Sequence, residues 1–353
     1  MTKKIRIGIV GVGSIANTHI QAYLKIENIE LVAFCDINEE RLKFMQKEYG
    51  VTKGYTSLKT MLENEELDAV NVCTWNNAHA SCSIMALNHG VNVLCEKPMA
   101  MNTKEALEMK AAAERNKKLL MVGLVKRFGT DLKIIEDLKE KDFFGEIYYM
   151  KSKYIRRYGS PGGWFSDKAR SGGGPLIDLG VHILDMMNYL YDCDQPESVY
   201  GYTFDTIGNL PNLIRSADYI ASDSTVSTFD VEDFAGAVIR FPNNRVAVLE
   251  TSYNLFTDRD NEGLEVYGNK GGAKLGEKLT LSCNTHNYMT NSNILIDSKF
   301  DFEDAFYKEM QHFVACVEGK ETCRATADDG IRNMQVLDAI YLSAQTHNEV
   351  KLS

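Results

Sequence analysis

The chain has 353 residues, a formal net charge of −10, 44% hydrophobic residues and 25% charged residues. This length exceeds that of one typical core and predicts two domains, and the composition is that of a globular protein. The negative charge argues against a nucleic-acid partner, because phosphate binding favours a basic surface. We expect no membrane span, since no apolar stretch is long enough, and no signal peptide, since a glycine turn interrupts the first apolar run.

The cysteines follow no metal-binding or redox spacing. They are Cys35, Cys73, Cys82, Cys95, Cys193, Cys283, Cys316 and Cys323. No pair has the spacing C-x-x-C, so the sequence predicts neither a zinc knuckle nor a redox pair, and we expect no metal site. Several cysteines lie in apolar runs, where a free thiol packs as a small hydrophobe. This usage fits the reducing cytoplasm.

The first predicted element is a buried strand, Ile5 to Val10, in a short apolar run rich in β-branched residues. A G-x-G-x-x-A pattern with Gly11, Gly13 and Ala16 follows at once, and residues 17–23 then have the mixed character of a helix. Gly11 permits a tight turn, Gly13 lets a pyrophosphate approach the backbone, and Ala16 lets the helix pack on the strand. Strand, glycine turn and helix together predict a dinucleotide site.

The same helix and the next strand supply the rest of this fingerprint. Ser14 and Ile15 begin the helix, where free N–H groups and the positive dipole end favour phosphates. A second strand, Leu31 to Cys35, ends in Asp36, about 20 residues past the turn, where a carboxylate binds the ribose hydroxyls. A carboxylate there repels a 2′-phosphate, and the nearest arginine is Arg41. We therefore expect NAD as the cofactor and leave NADP open.

The rest of the first half alternates between predicted helices and strands. The helices cover 38–48, 58–63, 78–88 and 103–116, and the strands cover 68–73, 91–95 and 119–122. This alternation predicts a doubly wound parallel sheet, a Rossmann domain over residues 1–123. In such a sheet ligands collect at the carboxyl ends of the strands. The polar residues that follow these strands are Thr74, Asn76, His79, Glu96, Lys97 and Arg127.

The second half, residues 124–353, begins with a long predicted strand, 147–155, and glycine-rich loops lead from it to a helix over 176–190. Asp178, His182 and Asp185 stand at i, i+4 and i+7 and share one helical face. Asp178 can accept a proton from one ring nitrogen of His182 and orient the ring. The other nitrogen can then exchange a proton with a substrate hydroxyl.

The remaining elements predict an α+β domain with an open, mostly antiparallel sheet. We expect a polar insertion or lid at 205–230, strands at 194–204, 234–241, 245–253 and 263–267, and helices at 305–318 and 328–346.

Taken in order, these motifs resemble the glucose-fructose oxidoreductase and inositol dehydrogenase (Gfo/Idh/MocA) family. Residues 73–79 are similar to its C-T-P-N-x-x-H segment, residues 96–98 to its E-K-P motif, and residues 172–182 to its G-G-G-x-L-x-D-x-G-x-H segment. The resemblance covers essentially the whole chain. Trp75 departs from it, because the family usually has proline there.

The resemblance implies that Asn76 and His79 hold the nicotinamide-side ribose and the diphosphate. It also implies that Glu96 contacts the nicotinamide ribose, that Arg127 lies near the nicotinamide, and that the Lys97–Pro98 peptide is cis. The full set of implied cofactor-binding residues in these motifs is Thr74, Asn76, His79, Glu96, Lys97 and Arg127.

The implied reaction is NAD-dependent oxidation of a secondary alcohol on a sugar or an inositol-like cyclitol. His182, oriented by Asp178, takes the hydroxyl proton, and Lys97 stabilises the charge that grows on the same oxygen. The roles of Lys97 and His182 could be exchanged. Aromatic and guanidinium groups suit a polyol, and the substrate-contact candidates are Tyr154, Arg156, Trp164 and Arg170.

Two alternatives stay open. The same scaffold supports NAD-assisted, redox-neutral glycoside cleavage, in which oxidation is transient. A non-catalytic NAD(P) sensor is a third interpretation, but a sensor has no need of Lys97 or His182. The family also uses the free face of its second sheet for assembly, which implies a homodimer or a homotetramer.

Overall fold

The computed structural model describes residues 4–208, 210, 221, 229–276, 278–294 and 299–352. The chain forms two compact units, one of Met1–Val125 with Phe302–Met334 and one of Lys126–Asp301 with Gln335–Ser353. The first boundary lies close to the predicted one, but the predicted second domain of 124–353 is not continuous. Most of the predicted insertion at 205–230 lies outside the described residues.

The helices and strands follow in chain order. The helices are α1 Ser14–Tyr23, α2 Glu39–Tyr49, α3 Leu58–Asn64, α4 Asn76–Asn88, α5 Thr103–Asn116, α6 Thr130–Glu140, α7 Lys168–Ser171, α8 Val181–Leu190, α9 Phe302–Val317 and α10 Ala327–Thr346. The strands are β1 Ile5–Val10, β2 Ile29–Cys35, β3 Lys53–Tyr55, β4 Ala69–Val72, β5 Asn92–Glu96, β6 Leu120–Gly123, β7 Ile147–Ile155, β8 Ser198–Phe204, β9 Phe234–Phe241, β10 Arg245–Ser252, β11 Asn261–Gly268, β12 Gly271–Leu275, β13 Thr280–Thr285, β14 Tyr288–Asn293 and β15 Val350–Lys351.

The first unit contains a six-stranded sheet in the order β3-β2-β1-β4-β5-β6, and its neighbouring strands are parallel. This confirms the predicted doubly wound sheet. Its central strands β4 and β5 are buried on both faces and are mostly apolar, with Asn71 and Glu96 as buried polar residues among them. The sequence did not predict β3, because its Lys-Gly-Tyr sequence has neither an apolar run nor alternation.

Local signals set the helix boundaries in this unit. Asn38 caps α2, since its side chain accepts a hydrogen bond from the Arg41 N–H at 3.0 Å. Gly50 ends the same helix with φ of 67°, a left-handed conformation that glycine adopts without strain. Asn102 caps α5 in the same way as Asn38 caps α2.

The chain returns to the first unit through α9. One face of this helix buries Ala305, Phe306 and Phe313, and α9 packs on α1. The ring of Phe306 lies 5.1 Å from the ring of His19. Because α9 completes the core beside the fingerprint helix, residues 302–334 belong with the nucleotide sheet rather than with the predicted second domain.

The second unit contains a nine-stranded sheet in the order β14-β13-β12-β11-β7-β10-β9-β8-β15. Its pairs are antiparallel except β7 with β10, which confirms the predicted open, mostly antiparallel sheet. The prediction missed β12, which is short and begins with two glycines, and it missed β13 and β14, whose mostly polar residues lack a one-sided alternation. It also assigned no element to α6. Within the described ranges, no helix has the length and apolarity needed to cross a membrane.

Candidate active site

The glycine turn after β1 has the geometry that the fingerprint requires. Gly11 has φ of +80°, and a Cβ there would lie 2.7 Å from the carbonyl oxygen of Cys73. Only glycine therefore fits this turn. The helix α1 begins directly after Gly13, and Ala16 is fully buried against the sheet. Among the described residues, the first turn of α1 carries no acidic side chain, so its N–H groups suit an anion such as a pyrophosphate.

Asp36 is fixed at this turn by two backbone donors. Its Oδ2 accepts a hydrogen bond from the Val12 N–H at 2.9 Å, and its Oδ1 accepts one from the Asn38 N–H at 2.8 Å. The Arg41 guanidinium lies 3.7 Å from Oδ2. The carboxylate therefore stands beside the glycine turn with a cation next to it. This arrangement fits a bound dinucleotide.

A buried polar network underlies the E-K-P motif. His19 Nε2 lies 2.7 Å from Glu96 Oε1, and His19 Nδ1 lies 2.9 Å from the Asn71 side-chain nitrogen. The Tyr23 hydroxyl donates to Asn71 Oδ1 at 2.9 Å. Burial opposes ionisation of Glu96, but the hydrogen bond and charge of His19 and the charge of Lys97 outweigh it and lower the Glu96 pKa. Glu96 therefore remains a carboxylate.

Sequence reasoning missed His19. A signal was present, because Ala16, His19, Ile20 and Tyr23 recur at helical spacing on the buried face of α1. A histidine on such a face needs a buried partner, and Glu96 supplies it. Both Glu96 oxygens are bonded within the protein, one to His19 and one to the Lys97 N–H at 3.0 Å. Its implied contact with the nicotinamide ribose stays a prediction.

Lys97 follows the fully buried end of β5 and is half-buried. The Lys97–Pro98 peptide is cis, as the resemblance implied. His79 lies beneath this turn, with Nδ1 2.7 Å from the Pro98 carbonyl oxygen and Nε2 3.1 Å from that of Thr74. Burial lowers the pKa of His79, so its ring is neutral and one nitrogen donates. His79 thus holds the Pro98 turn, and its contact with the dinucleotide stays a prediction.

The backbone at Trp75 is compatible with the proline that the family usually has there. Trp75 directly precedes α4 and has φ of −66°, the value that a proline ring would impose. Asn76 begins the helix and is buried. The Thr74 hydroxyl donates to the Trp75 carbonyl oxygen at 3.2 Å. Tryptophan at this position therefore has the φ that a proline would have, and it differs in its larger side chain.

In the second unit, the predicted helix 176–190 is not regular. Leu176–Gly180 form a π-helical turn, and the α-helix α8 starts at Val181. Asp178 lies buried on the π turn, and His182 is half-buried on the first turn of α8. Turns of this kind interrupt helices frequently at functional sites.

Asp178 has a partner that the sequence did not indicate. The Tyr253 hydroxyl, on a fully buried side chain, donates to Asp178 Oδ2 at 2.9 Å. Burial, followed by the charge of Asp178, raises the pKa of Tyr253 well above its ordinary value, so the hydroxyl stays a donor. The positive charge of Arg156 also acts on Asp178. The Asp178 carboxylate is thus held by Tyr253, which directly follows β10.

The glycine-rich loop before the π turn packs against Glu232. Its carboxylate accepts hydrogen bonds from the Gly174 N–H at 3.0 Å, the Leu176 N–H at 3.1 Å and the Tyr341 hydroxyl at 2.9 Å. A Cβ at Gly174 would lie 2.2 Å from the Glu232 carbonyl oxygen. The loop glycine therefore permits close packing of this buried carboxylate, which local sequence patterns could not reveal.

Asp185 also gains a partner. Arg127 binds it with Nε 2.8 Å from Oδ2 and Nη2 2.7 Å from Oδ1, and both side chains are 1% exposed. The guanidinium carbon lies 4.8 Å from the centre of the Tyr189 ring. This pair joins the start of the second unit to α8. The implied contact of Arg127 with the cofactor stays a prediction.

The structure brings together two of the four substrate candidates. The Arg156 guanidinium lies 5.4 Å from the centre of the Tyr154 ring, and its Nη1 donates to the Gly159 carbonyl oxygen at 3.0 Å. Trp164 stacks on the next residue, Phe165, with ring centres 4.0 Å apart. Arg170 donates from Nε to Asp167 Oδ2 at 2.7 Å, which makes it part of a local ion pair.

A parallel sheet with a G-x-G-x-x-A turn, followed by an open mixed sheet, is typical of a two-part dinucleotide-binding protein. A family model described as "Oxidoreductase family, NAD-binding Rossmann fold" matches residues 5–124. A second, described as "Oxidoreductase family, C-terminal alpha/beta domain", matches residues 138–352. The chain belongs to this family, Gfo/Idh/MocA, and is an NAD(P)-dependent oxidoreductase.

Individual relatives match over nearly their full length. D-Glucoside 3-dehydrogenase of Escherichia coli (strain K12) is 31% identical over 351 residues, which cover 99% of this chain and 97% of that protein. Myo-inositol 2-dehydrogenase of Thermotoga maritima is 25% identical, with 99% and 98% covered. A solved levoglucosan dehydrogenase in complex with NADH has the same fold, with a TM-score of 0.87, 20% identity and 99% and 100% coverage.

Proposed function

We propose that the chain is an NAD-dependent dehydrogenase that oxidises a secondary alcohol of a sugar or a cyclitol. One observation carries the proposal. Lys97 lies half-buried at the carboxyl edge of the nucleotide sheet, directly after the buried end of β5, and a lysine emerging there can reach a ligand bound at that edge. The end-to-end similarity to D-glucoside 3-dehydrogenase supports the substrate class.

The nucleotide would be held by the first unit. Gly11, Gly13 and the N–H groups of Ser14 and Ile15 take the pyrophosphate, and the carboxylate of Asp36 takes the ribose hydroxyls. The polar residues that follow the next strands are proposed to hold the nicotinamide half; they are Thr74, Asn76, His79, Glu96 and Lys97. When bound, the dinucleotide supplies the hydride acceptor.

The chain's own residues handle the proton and the charge. We propose that His182 accepts the hydroxyl proton on a ring nitrogen and that Asp178, which Tyr253 holds, orients the ring. Lys97 donates a hydrogen bond from Nζ to the same oxygen and stabilises its growing negative charge. Tyr154 and Arg156 are proposed to contact the polyol, because they already pack together near Asp178.

The test is NADH absorbance over a panel of glucosides, inositols, aldoses and anhydrosugars, each with NAD and with NADP. We expect one sugar or cyclitol to give rapid NADH formation. If nucleotide binding is established by calorimetry and no polyol gives NADH, the dehydrogenase proposal is wrong. Glycoside cleavage without net NADH would then identify the redox-neutral alternative.

The preference for NAD is tested by a matched pair of variants. Asp36→Ala removes the carboxylate that accepts the ribose hydroxyls and should raise the KM for NAD more than the KM for NADP. Arg41→Ala removes the cation 3.7 Å from that carboxylate and should weaken NADP more than NAD. An unchanged preference in Asp36→Ala would mean that this residue does not read the ribose.

We also propose assembly through the free face of the second sheet. Large apolar side chains stand on this face, with Tyr200 directly opposite Val238 in the β8–β9 pairing. They are exposed to 48% and 37%, and Phe204 on the same face is exposed to 54%. An open apolar sheet face of this kind favours a self-complementary contact.

A further inference from the structure

The helix α9 ends in a turn that folds the chain back along the helix. Gly319 has φ of 71°, the Lys320 N–H donates to the Ala315 carbonyl oxygen at 2.9 Å, and the Gly319 N–H donates to that of Cys316 at 3.0 Å. This is the pattern of a glycine-terminated helix. The returning segment runs past the last turn of α9, and it carries Cys323 to Cys316.

A histidine lies at the centre of this turn. His312 stands one turn before Cys316, and its Nε2 is 3.4 Å from Cys316 Sγ and accepts the Arg324 N–H at 3.0 Å. Its Nδ1 lies 2.5 Å from Glu321 Oε2. Cys323 directly precedes Arg324, whose N–H bonds to His312, so both cysteines lie beside the same imidazole, and the thiol of each shifts the pKa of the other. Two thiols, an imidazole and a carboxylate thus form one cluster.

We propose that Cys316 and Cys323 form a reversible disulfide site, which a hydroperoxide oxidises and a small thiol reduces. Both are free thiols in the structure, and both are partly exposed, so a small oxidant can reach them. The imidazole of His312 is 6% exposed and is anchored by Glu321, as a fixed proton acceptor should be. This site is independent of the dehydrogenase reaction.

The two sulfurs have different roles. The hydrogen bond from Cys316 lowers the pKa of Cys323, and His312 and the Ala325 backbone add to this effect against the opposing effect of burial. The hydrogen bond to Cys323 and burial raise the pKa of Cys316. Because the thiolate is the nucleophile, Cys323 is the attacking thiol and Cys316 the resolving thiol.

The chemistry balances in two steps. The Cys323 thiolate attacks one oxygen of hydrogen peroxide, so that an S–O bond forms and the O–O bond breaks. Sulfur is oxidised to a sulfenic acid, and hydroxide leaves and is protonated. The Cys316 sulfur then attacks the Cys323 sulfur, and the S–S bond forms as the S–O bond breaks. The departing hydroxide and the Cys316 proton form water. Thiol exchange reverses the bond.

The position of the site links it to the nucleotide sheet. The Val122 N–H on β6 donates to the Ala325 carbonyl oxygen at 3.0 Å, and Met121 pairs with Thr326. A disulfide between Cys316 and Cys323 would therefore link the end of α9 to the segment of Ala325 and Thr326, which hydrogen-bonds to β6.

The test uses the full wild-type chain and needs no substrate. Trypsin cuts after Lys308, Lys320 and Arg324, so the two thiols fall in separate peptides, Glu309–Lys320 and Glu321–Arg324. After brief treatment with hydrogen peroxide and blocking of the remaining thiols, we expect mass spectrometry of an unreduced digest to show these peptides joined. Dithiothreitol should separate them.

Variants separate the roles of the sulfurs. Cys283→Ser, at a partly exposed cysteine on β13, should keep the cross-link. In Cys316→Ser, dimedone should label Cys323 as a sulfenic acid, whereas Cys323→Ser should leave Cys316 unlabelled. His312→Gln should slow the formation of the cross-link.

The proposal is overturned if peroxide oxidises Cys283 in the wild type without joining the two peptides. Stronger labelling of Cys316 than of Cys323 would overturn the assigned roles.

Discussion

At the scale of single residues, the E-K-P motif depends on groups outside the motif. The backbone of Lys97 is bonded to the carboxylate of Glu96, and Glu96 is bonded to His19 on the fingerprint helix. These hydrogen bonds therefore connect the fingerprint helix α1 to the backbone of the proposed catalytic lysine. Such a network fixes side chains in one arrangement because leaving any member unsatisfied is costly.

The catalytic assignment gives the first prediction. Lys97→Ala and His182→Ala should each lower kcat by at least about 10²-fold, the scale expected for a positioned acid or base. Dissociation constants for NAD, measured by calorimetry, should change far less, because neither side chain is proposed to read the adenosine half. Near-wild-type kcat in both variants would contradict the mechanism.

Glu309 gives the second prediction. It is fully buried on α9, and neither carboxylate oxygen has a hydrogen-bond partner among the described residues. Burial, followed by the charge of Glu96, raises its pKa well above 4.5, and His19 only partly opposes this. The folded chain therefore keeps a proton that the unfolded chain loses above about pH 4.5, and stability falls as pH rises from there.

Glu309→Gln is neutral at every pH and removes this dependence. The difference in Tm between the variant and the wild type should increase in favour of the variant from pH 5 to pH 8. Glu303→Gln, on the same helix but with its side chain 82% exposed, is the matched control and should show no such trend. A difference that is constant across this range would mean that Glu309 is ionised in the fold.

At the scale of elements, the proposed catalytic helix is positioned by a carboxylate far from it in sequence. Glu232 satisfies the N–H groups of Gly174 and Leu176, which open the π turn, and the hydroxyl of Tyr341 on α10. A helix start that is buried needs such acceptors, because unpaired backbone donors are costly. Glu232 therefore stabilises the start of the irregular turn.

Glu232→Ala leaves two buried backbone donors and the half-buried Tyr341 hydroxyl without their acceptor. We expect the free energy of unfolding, measured by urea denaturation, to fall by about 2–4 kcal/mol. Glu250→Ala is the control, since Glu250 forms a partly exposed pair with Lys151 at 3.7 Å and its loss should cost less than about 1 kcal/mol. Equal losses in the two variants would show that Glu232 does not support the turn.

At the scale of the whole molecule, the chain builds two units from interleaved segments. The core of the first unit is completed by α9, which follows β14 in sequence, and the last strand of the second sheet, β15, comes after it. The second unit leaves one face of its sheet with exposed aromatic side chains, and Tyr267 on that face stacks on Tyr149 with ring centres 5.6 Å apart. We expect this exposed face of the second sheet to support assembly.

Val238→Lys places a charge on that face, opposite Tyr200. Burying this charge in the interface is unfavourable, so sedimentation velocity should show a smaller species than the wild type. Tyr288→Lys is the control, because Tyr288 is 74% exposed at the start of β14 and its side chain points to the other face. A monomeric wild type, or an unchanged sedimentation coefficient in Val238→Lys, would contradict the proposed interface.

The sequence by itself determined the features that contiguous residues encode. The glycine turn with Asp36, the alternating strands and helices of the first unit and the open mixed sheet of the second were predicted and found. Periodicity and capping are local, so they can be recognised without the fold. The family motifs are equally contiguous, and the cis Lys97–Pro98 peptide followed from them.

The tertiary structure alone decided which distant residues meet. The clearest cases join residues that are far apart in the chain: His19 with Glu96, Asp178 with Tyr253, Gly174 with Glu232 and Arg127 with Asp185. No local pattern marks these partners, because each pair forms only when separate elements pack and a buried polar group must be satisfied. Cys316 and Cys323 are the same case at short range, since the left-handed Gly319 turn, and not their spacing, brings the two thiols together.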